Sequence, residues 1–174
     1  MKSKIEIRIS VGEDALEVET LRISCWKKHY AGIIDQAFLD GMDPEKSYEA
    51  RQKFIILQKN IHLVAVYDEK IIGLSDAGPR RSEQGALSEG EIYSLYVDEA
   101  FRRQGVGQLL FQTQCDLLRQ RGFESIVVWA LKENTSARNF YKKLNGALLE
   151  KEESFDVDGK EYPHVVYQWH FEEE

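Results

Sequence analysis

The sequence predicts an α+β (α/β) fold, one domain of 174 residues built on a mixed sheet. Three observations point there. Hydrophobic periodicity switches between alternation and helical stripes in the order βααβββαβαββ. The run Ser125 to Ala130 (SIVVWA) is short and nearly all apolar, as expected of a central strand covered on both faces. The chain carries no internal repeat, low-complexity segment or linker, so 1–174 reads as one domain ending in an acidic tail over 171–174.

The elements follow in order. Lys4 to Val11 alternates, with Ile5, Ile7, Ile9 and Val11 on one side, and reads as a half-buried strand. Gly12 breaks it and Asp14 can cap the next helix, where Val18, Leu21 and Cys25 share a stripe with Trp26 and Tyr30 beside it. Ala31 to Met42 has no clean period and reads as a loop or short helical turn. Asp43-Pro44 is a helix start, with Asp as N-cap and Pro at the first position, and the helix runs to about Asn60. Ile61–Tyr67 and Lys70–Ala77, joined by Asp68-Glu69, form an antiparallel hairpin. Pro79 to Gly90 is a polar exposed loop, and Glu91 to Val97 is the strand after it. Beyond the glycines, Val106, Leu109, Leu110, Thr113 and Leu117 mark a helix that Gly122 stops. After Ser125–Ala130, Asn134 caps a helix through Leu144, with Gly146 ending it. Two strands close the chain, about Ala147–Phe155 and Tyr162–Trp169, with Asp158-Gly159 in their turn.

Composition excludes several classes. Hydrophobic residues at 43% and charged residues at 30% are ordinary for a globular domain, and no apolar run is long enough to cross a membrane. The N-terminus lacks a signal peptide's apolar stretch, which leads us to expect a cytoplasmic chain. A net charge of −7 disfavours nucleic acid. Cys25 and Cys115 lie apart inside helical patterns and read as reduced packing residues, and the four histidines lack ligand spacing, so no metal is expected.

The chemistry centres on Arg102-Arg103-Gln104-Gly105-Val106-Gly107, between a strand and a helix start. Glycines let backbone approach a ligand, and a helix N-terminus presents unpaired N–H groups, so the segment suits a phosphate or pyrophosphate. It is neither a Walker A loop nor a dinucleotide fingerprint. Read alone, it could equally be a glycine-rich helix start with solvated arginines.

Its context resembles the GNAT family of N-acetyltransferases. Arg102-x-x-Gly105-x-Gly107 looks like the family's pyrophosphate loop, Glu91 to Val97 like the strand leading into it, and Asn134…Phe140-Tyr141…Gly146 like its later helix. The resemblance implies a mixed, largely antiparallel sheet flanked by helices, and acetyl-CoA as co-substrate without a metal. The amides from Arg103 through Gln104, Gly105, Val106 and Gly107 to Gln108 would hold the pyrophosphate. The edge at Leu95, Tyr96 and Val97 would pair with the pantetheine arm. Arg102, Arg103, Arg138, Lys142 and Lys143 could add charge toward the phosphates or be ordinary surface residues. Asn134 could be a cap, a pantetheine partner, or both.

Tyr141 is implied as the proton donor to the departing CoA thiolate, the alternative being a packing tyrosine beside Phe140. Glu91 is either the base that takes the amine's proton or a residue at the strand's entry. The acceptor pocket is implied around Trp26, Tyr30, Phe38 and the Phe155–Tyr162 turn, each of which could be an ordinary core aromatic. The expected activity is acetyl transfer to a primary amine of a polyamine-like small molecule or a peptide, within a ternary complex. A cationic acceptor and a homodimer are left open, and the competing reading is a non-catalytic acyl-CoA-binding regulatory module.

Overall fold

The structure, a computed structural model, describes residues 4–57, 59–81 and 87–171, with backbone alone for 151 and 152. Seven strands form one sheet: β1 (Glu6–Ile9), β2 (Ile61–Tyr67), β3 (Lys70–Pro79), β4 (Glu89–Val97), β5 (Ser125–Leu131), β6 (Ala147–Val157) and β7 (Lys160–His170). Their spatial order is β1-β2-β3-β4-β5-β7-β6. Every neighbouring pair is antiparallel except β4 with β5. The helices are α1 (Ala15–His29), α2 (Gln36–Gly41), α3 (Pro44–Ile56), α4 (Val106–Gln120) and α5 (Thr135–Lys143). The mixed, largely antiparallel sheet expected from the sequence is present, and the stretch without a clean period contains a short helix, α2. No helix among the described residues is long and apolar enough to cross a membrane.

Strand alternation divides the core between the two faces. On one face α4 packs Val106, Leu110, Phe111 and Leu118 against Ile92, Ile126, Val128 and Ala130. On the other, Val18, Leu21 and Cys25 of α1 meet Val64, Ile71 and Leu74. A third cluster joins Ile34 and Leu39, around α2, to Leu131 and Val157 at the β6–β7 end. The Asp35 carboxylate pairs there with Lys160, and its backbone N–H donates to the Tyr162 hydroxyl at 3.0 Å. The hairpin turns at Asp68-Glu69 and Asp158-Gly159 have positive φ at both central residues, which matches the twist of the strands they join.

One irregularity shapes the molecule. In the β3–β4 ladder Asp76 pairs with Ser94 and Ala77 with Ile92, so Tyr93 is the extra residue of a bulge. The β4–β5 ladder covers only Glu89–Ile92 against Ser125–Val128, while β5 goes on pairing with β7 through Leu131. After Ile92 the sheet therefore splits, and β4 from Tyr93 to Val97 keeps β3 on one side and faces a gap on the other.

Several expectations are corrected. Ile9 and Val11 are 56% and 50% exposed, because the first strand is an edge whose ladder ends at Ile9. Asp14 stands at the α1 N-cap without a side-chain cap bond; its carboxylate instead accepts from Arg8 and from the Val11 N–H. The buried stripe of α4 is Val106, Leu110, Phe111, Gln114 and Leu118, with Leu109 exposed. Gln114 is polar yet fully buried, since its amide donates to the Ser75 carbonyl at 2.9 Å and the Ile61 carbonyl at 3.3 Å. Helix α3 stops at Ile56, before the expected Asn60. After α5 the left-handed position is taken by Asn145, not Gly146. Gly146 is required for a different reason: a Cβ there would lie 2.5 Å from the Trp169 ring. The polar loop loses Glu89 and Gly90 to β4; its residues 82–86, and tail residues 172–174, lie outside the described residues.

Candidate active site

The gap between β4 and β5 opens into a cleft of about 1240 Å³ that reaches both faces of the sheet. Its first part lies at the start of α4. Arg103 (φ 59°) and Gly105 (φ 84°) put two left-handed residues just before the helix, and Gly105 is its N-cap with no side-chain cap bond. The first helical bond is Leu109 N–H to the Gly105 carbonyl, so the preceding amides face outward unpaired by the helix. Gly105, Gly107, Gln108, Arg102 and Arg103 line the cleft here. Arg102 donates to Glu99 and to Ser136 at the start of α5, tying the loop to that helix.

The remaining loop residues lie elsewhere. The Val106 side chain is in the core at 1% exposed, and the Gln104 amide bonds the Ala100 carbonyl. Arg138 donates to the Lys132 carbonyl and to the Tyr167 hydroxyl, outside the cleft lining. Asn134 caps α5 by accepting from the Ala137 N–H and also lines the cleft. Lys143 lines it and Lys142 does not.

The second part is the split itself, walled by Leu95, Tyr96 and Val97 of β4 and by Tyr141 of α5. Tyr141 is 6% exposed, its ring packed among Phe140, Tyr167 and Trp169 with centroids 5.3, 5.8 and 6.0 Å away. Burial, with the nearby Tyr96 phenol second, pushes its pKa well above the ordinary phenol value. The hydroxyl thus keeps its proton at neutral pH.

The third part lies on the α1–α3 face. Trp26 donates to the Tyr96 hydroxyl at 2.8 Å, and the Tyr30 and Tyr96 hydroxyls lie 3.4 Å apart. Trp26 and Tyr30 line the cleft; Phe38 packs behind Trp26 and does not. Trp129, Phe155 and His164 form the far wall, with the His164 ring edge-on to Trp129 at 4.3 Å. Glu91, 2% exposed, reaches the cleft but is held by Arg81, which contributes its backbone N–H at 2.9 Å and its guanidinium at 2.8 and 3.2 Å.

Beneath this side runs a buried ionic network. Glu19 accepts from Arg22, Arg51 and Ser47, and Arg51 continues to Asp76 at 2.8 Å. Asp76 also accepts from His62 Nδ1 at 2.7 Å and from the Ser94 hydroxyl. Burial alone would raise the Asp76 carboxyl; the His62 bond, the Arg51 charge and the Ser94 bond outweigh it and hold the pKa at about 2. Sequence reasoning missed Ser94, Asp76, Arg51, Arg81 and His164. The one signal for Asp76 was a lone carboxylate inside the otherwise uncharged stretch of β3 from Ile71 to Gly78.

Residues 24–147 match the family described as the acetyltransferase (GNAT) family. The uncharacterized N-acetyltransferase YuaI of Bacillus subtilis is 29% identical over 167 residues, covering 95% of this chain and 92% of that protein. A spermidine N(1)-acetyltransferase of Thermoplasma acidophilum is 23% identical over 91% of this chain and 94% of its own length. The crystal structure of the PaiA N-acetyltransferase from Thermoplasma acidophilum, in complex with coenzyme A, superposes with a TM-score of 0.75 at 20% identity, over 97% of this chain and 99% of that one. The match spans the split strand, the glycine loop and the Asn134–Tyr141 helix, and on it the chain belongs to the acetyltransferase (GNAT) family.

Proposed function

We propose that this N-acetyltransferase moves the acetyl group of acetyl-CoA directly to a primary amine of a polyamine-like small molecule or a peptide, with both substrates bound at once. One observation carries the reading: a single cleft joins the unpaired edge of β4, the Tyr141 hydroxyl and an aromatic chamber on the opposite face of the sheet. Nucleophile and thioester can then meet without a covalent enzyme intermediate.

In this reading the amides at the start of α4 hold the pyrophosphate, with Arg102 and Arg103 beside them. The pantetheine arm runs along Leu95–Val97 as an added strand, and Asn134 faces it. A backbone N–H at Tyr96 or Val97 polarises the thioester carbonyl. The amine nitrogen attacks the carbonyl carbon, the C–S bond breaks, and Tyr141 gives its proton to the leaving sulfur. Glu91 takes the amine's proton once Arg81, whose side chain is 63% exposed, swings toward solvent. The chamber's aromatic rings and the relative named for spermidine favour an acceptor with an aliphatic stem and a basic end.

The test is thiol release from acetyl-CoA against a panel of polyamines, amino acids and peptides. Amine-dependent release supports the enzyme. Tight CoA binding without turnover on any amine would favour a non-catalytic acyl-CoA-binding module.

A further inference from the structure

The buried network under the acceptor chamber has no part in the transfer steps above, yet it ends at a cleft-lining hydroxyl. Asp76 is 4% exposed and accepts from three donors: His62 Nδ1, Arg51 and the Ser94 hydroxyl. A carboxylate held ionised can only accept, so the protons of these bonds sit on His62 Nδ1, on Arg51 and on Ser94 Oγ. Arg51 is fixed in turn by Glu19, and Glu19 by Arg22 and Ser47. The one proton of the Ser94 hydroxyl is therefore committed inward. What remains on Ser94 Oγ is lone pairs, and Ser94 lines the cleft. The bulge at Tyr93 places this residue on the acceptor face, next to the Leu95–Val97 edge.

We infer that Ser94 Oγ is a substrate-binding acceptor: it takes a hydrogen bond from an N–H of the attacking amine and turns the nitrogen lone pair toward the thioester. Asp76, with His62 and Arg51, is the positioning group that keeps the serine proton pointing away. This deepens the proposed acetyl transfer and rests on that reading. It also makes a specificity statement. A primary amine has two N–H bonds, one for the base and one for Ser94. An N-methylated amine has one, which the base takes, and Ser94 is left unpaired beside a methyl group.

The experiment compares kcat/KM for a primary amine that the enzyme accepts and for its N-methyl analogue, in wild type, Ser94→Ala and Ser94→Thr, with CoA affinity and thermal unfolding followed alongside. Wild type is expected to prefer the primary amine by about tenfold or more. Ser94→Ala is expected to lose that preference through a fall in activity toward the primary amine alone, with CoA affinity unchanged. Ser94→Thr, which keeps the hydroxyl, restores the preference. If Ser94→Ala keeps the wild-type preference, or slows both acceptors by the same factor, the serine is structural and the inference is overturned. Absence of amine-dependent turnover in wild type would overturn the acetyl-transfer reading itself, and the inference with it.

Discussion

Replacing Tyr141 with Phe removes one oxygen from the centre of the site, and the structure separates its chemical effect from its structural one. The ring stays packed against Phe140, Tyr167 and Trp169, so the buried apolar surface is nearly unchanged. No hydrogen bond to the hydroxyl forms among the described residues. Loss of that oxygen should therefore change stability by less than about 1 kcal/mol, a shift of no more than about 4 °C in Tm for a chain of this size. A general acid supplies about 100-fold or more, about 2.7 kcal/mol of barrier. The catalytic effect should exceed the structural one severalfold. The assay is free-thiol release at saturating acetyl-CoA and amine, beside CoA titration and thermal melting. We expect kcat to fall about 100-fold or more, CoA affinity to stay within about twofold, and Tm to hold. A rate within twofold of wild type would refute the acid role. Burial raises the Tyr141 pKa, so the acid stays protonated as pH rises and should contribute no falling limb to kcat below about pH 10.

Glu91→Gln keeps the size of the side chain but weakens its ion pair with Arg81; with Glu91 as the base, kcat/KM for the amine falls about 100-fold while CoA affinity holds, whereas a rate within about twofold of wild type assigns the proton to another group. Asp76 has its pKa depressed from 3.8 to about 2, so it stabilises the fold above the unfolded value and loses that contribution as pH falls from about 4 through 2, about 2 kcal/mol at roughly 1.36 kcal/mol per pH unit. Unfolding measured between pH 5 and pH 2 should therefore be less pH-dependent in Asp76→Asn than in wild type, whatever the variant's absolute stability, and parallel curves would contradict the network. Gly146→Ala puts a Cβ 2.5 Å from the Trp169 ring and should cost about 1–3 kcal/mol in denaturant unfolding. Gly105→Ala forces a Cβ onto φ 84° with nothing within 4 Å of it, so it should weaken CoA binding more than packing, read as a rise in CoA Kd with a stability loss of about 1–2 kcal/mol.

The parts legible in the sequence were those specified locally. Asp43-Pro44 and Asn134 announce their helices because a cap needs only a side chain and the next few amides. The Arg102–Gly107 loop is legible for the same reason, since glycine and a helix start lie within a few residues of each other. The β6–β7 turn shows itself through Asp158-Gly159. What escaped depends on register and on partners far along the chain. The bulge at Tyr93 decides which β4 side chains face α1, and no composition marks it. The Asp76 network joins residues from α1, α3, β2, β3 and β4. Arginines and carboxylates are ordinarily surface residues, and only the fold brings these together as buried pairs. Gln114 depends on distant partners in the same way: a polar residue on an amphipathic helix is buried because its amide donates to two strand carbonyls. Glu91 was singled out from its strand, but the arginine that holds it sits ten residues earlier.

The proposed direct transfer requires that amine and acetyl-CoA occupy one cleft together. Initial rates measured with both substrates varied, together with the mass of the enzyme after incubation with acetyl-CoA alone, test it most directly. Intersecting double-reciprocal lines and an enzyme of unchanged mass are expected. Parallel lines with an acetylated protein would contradict it.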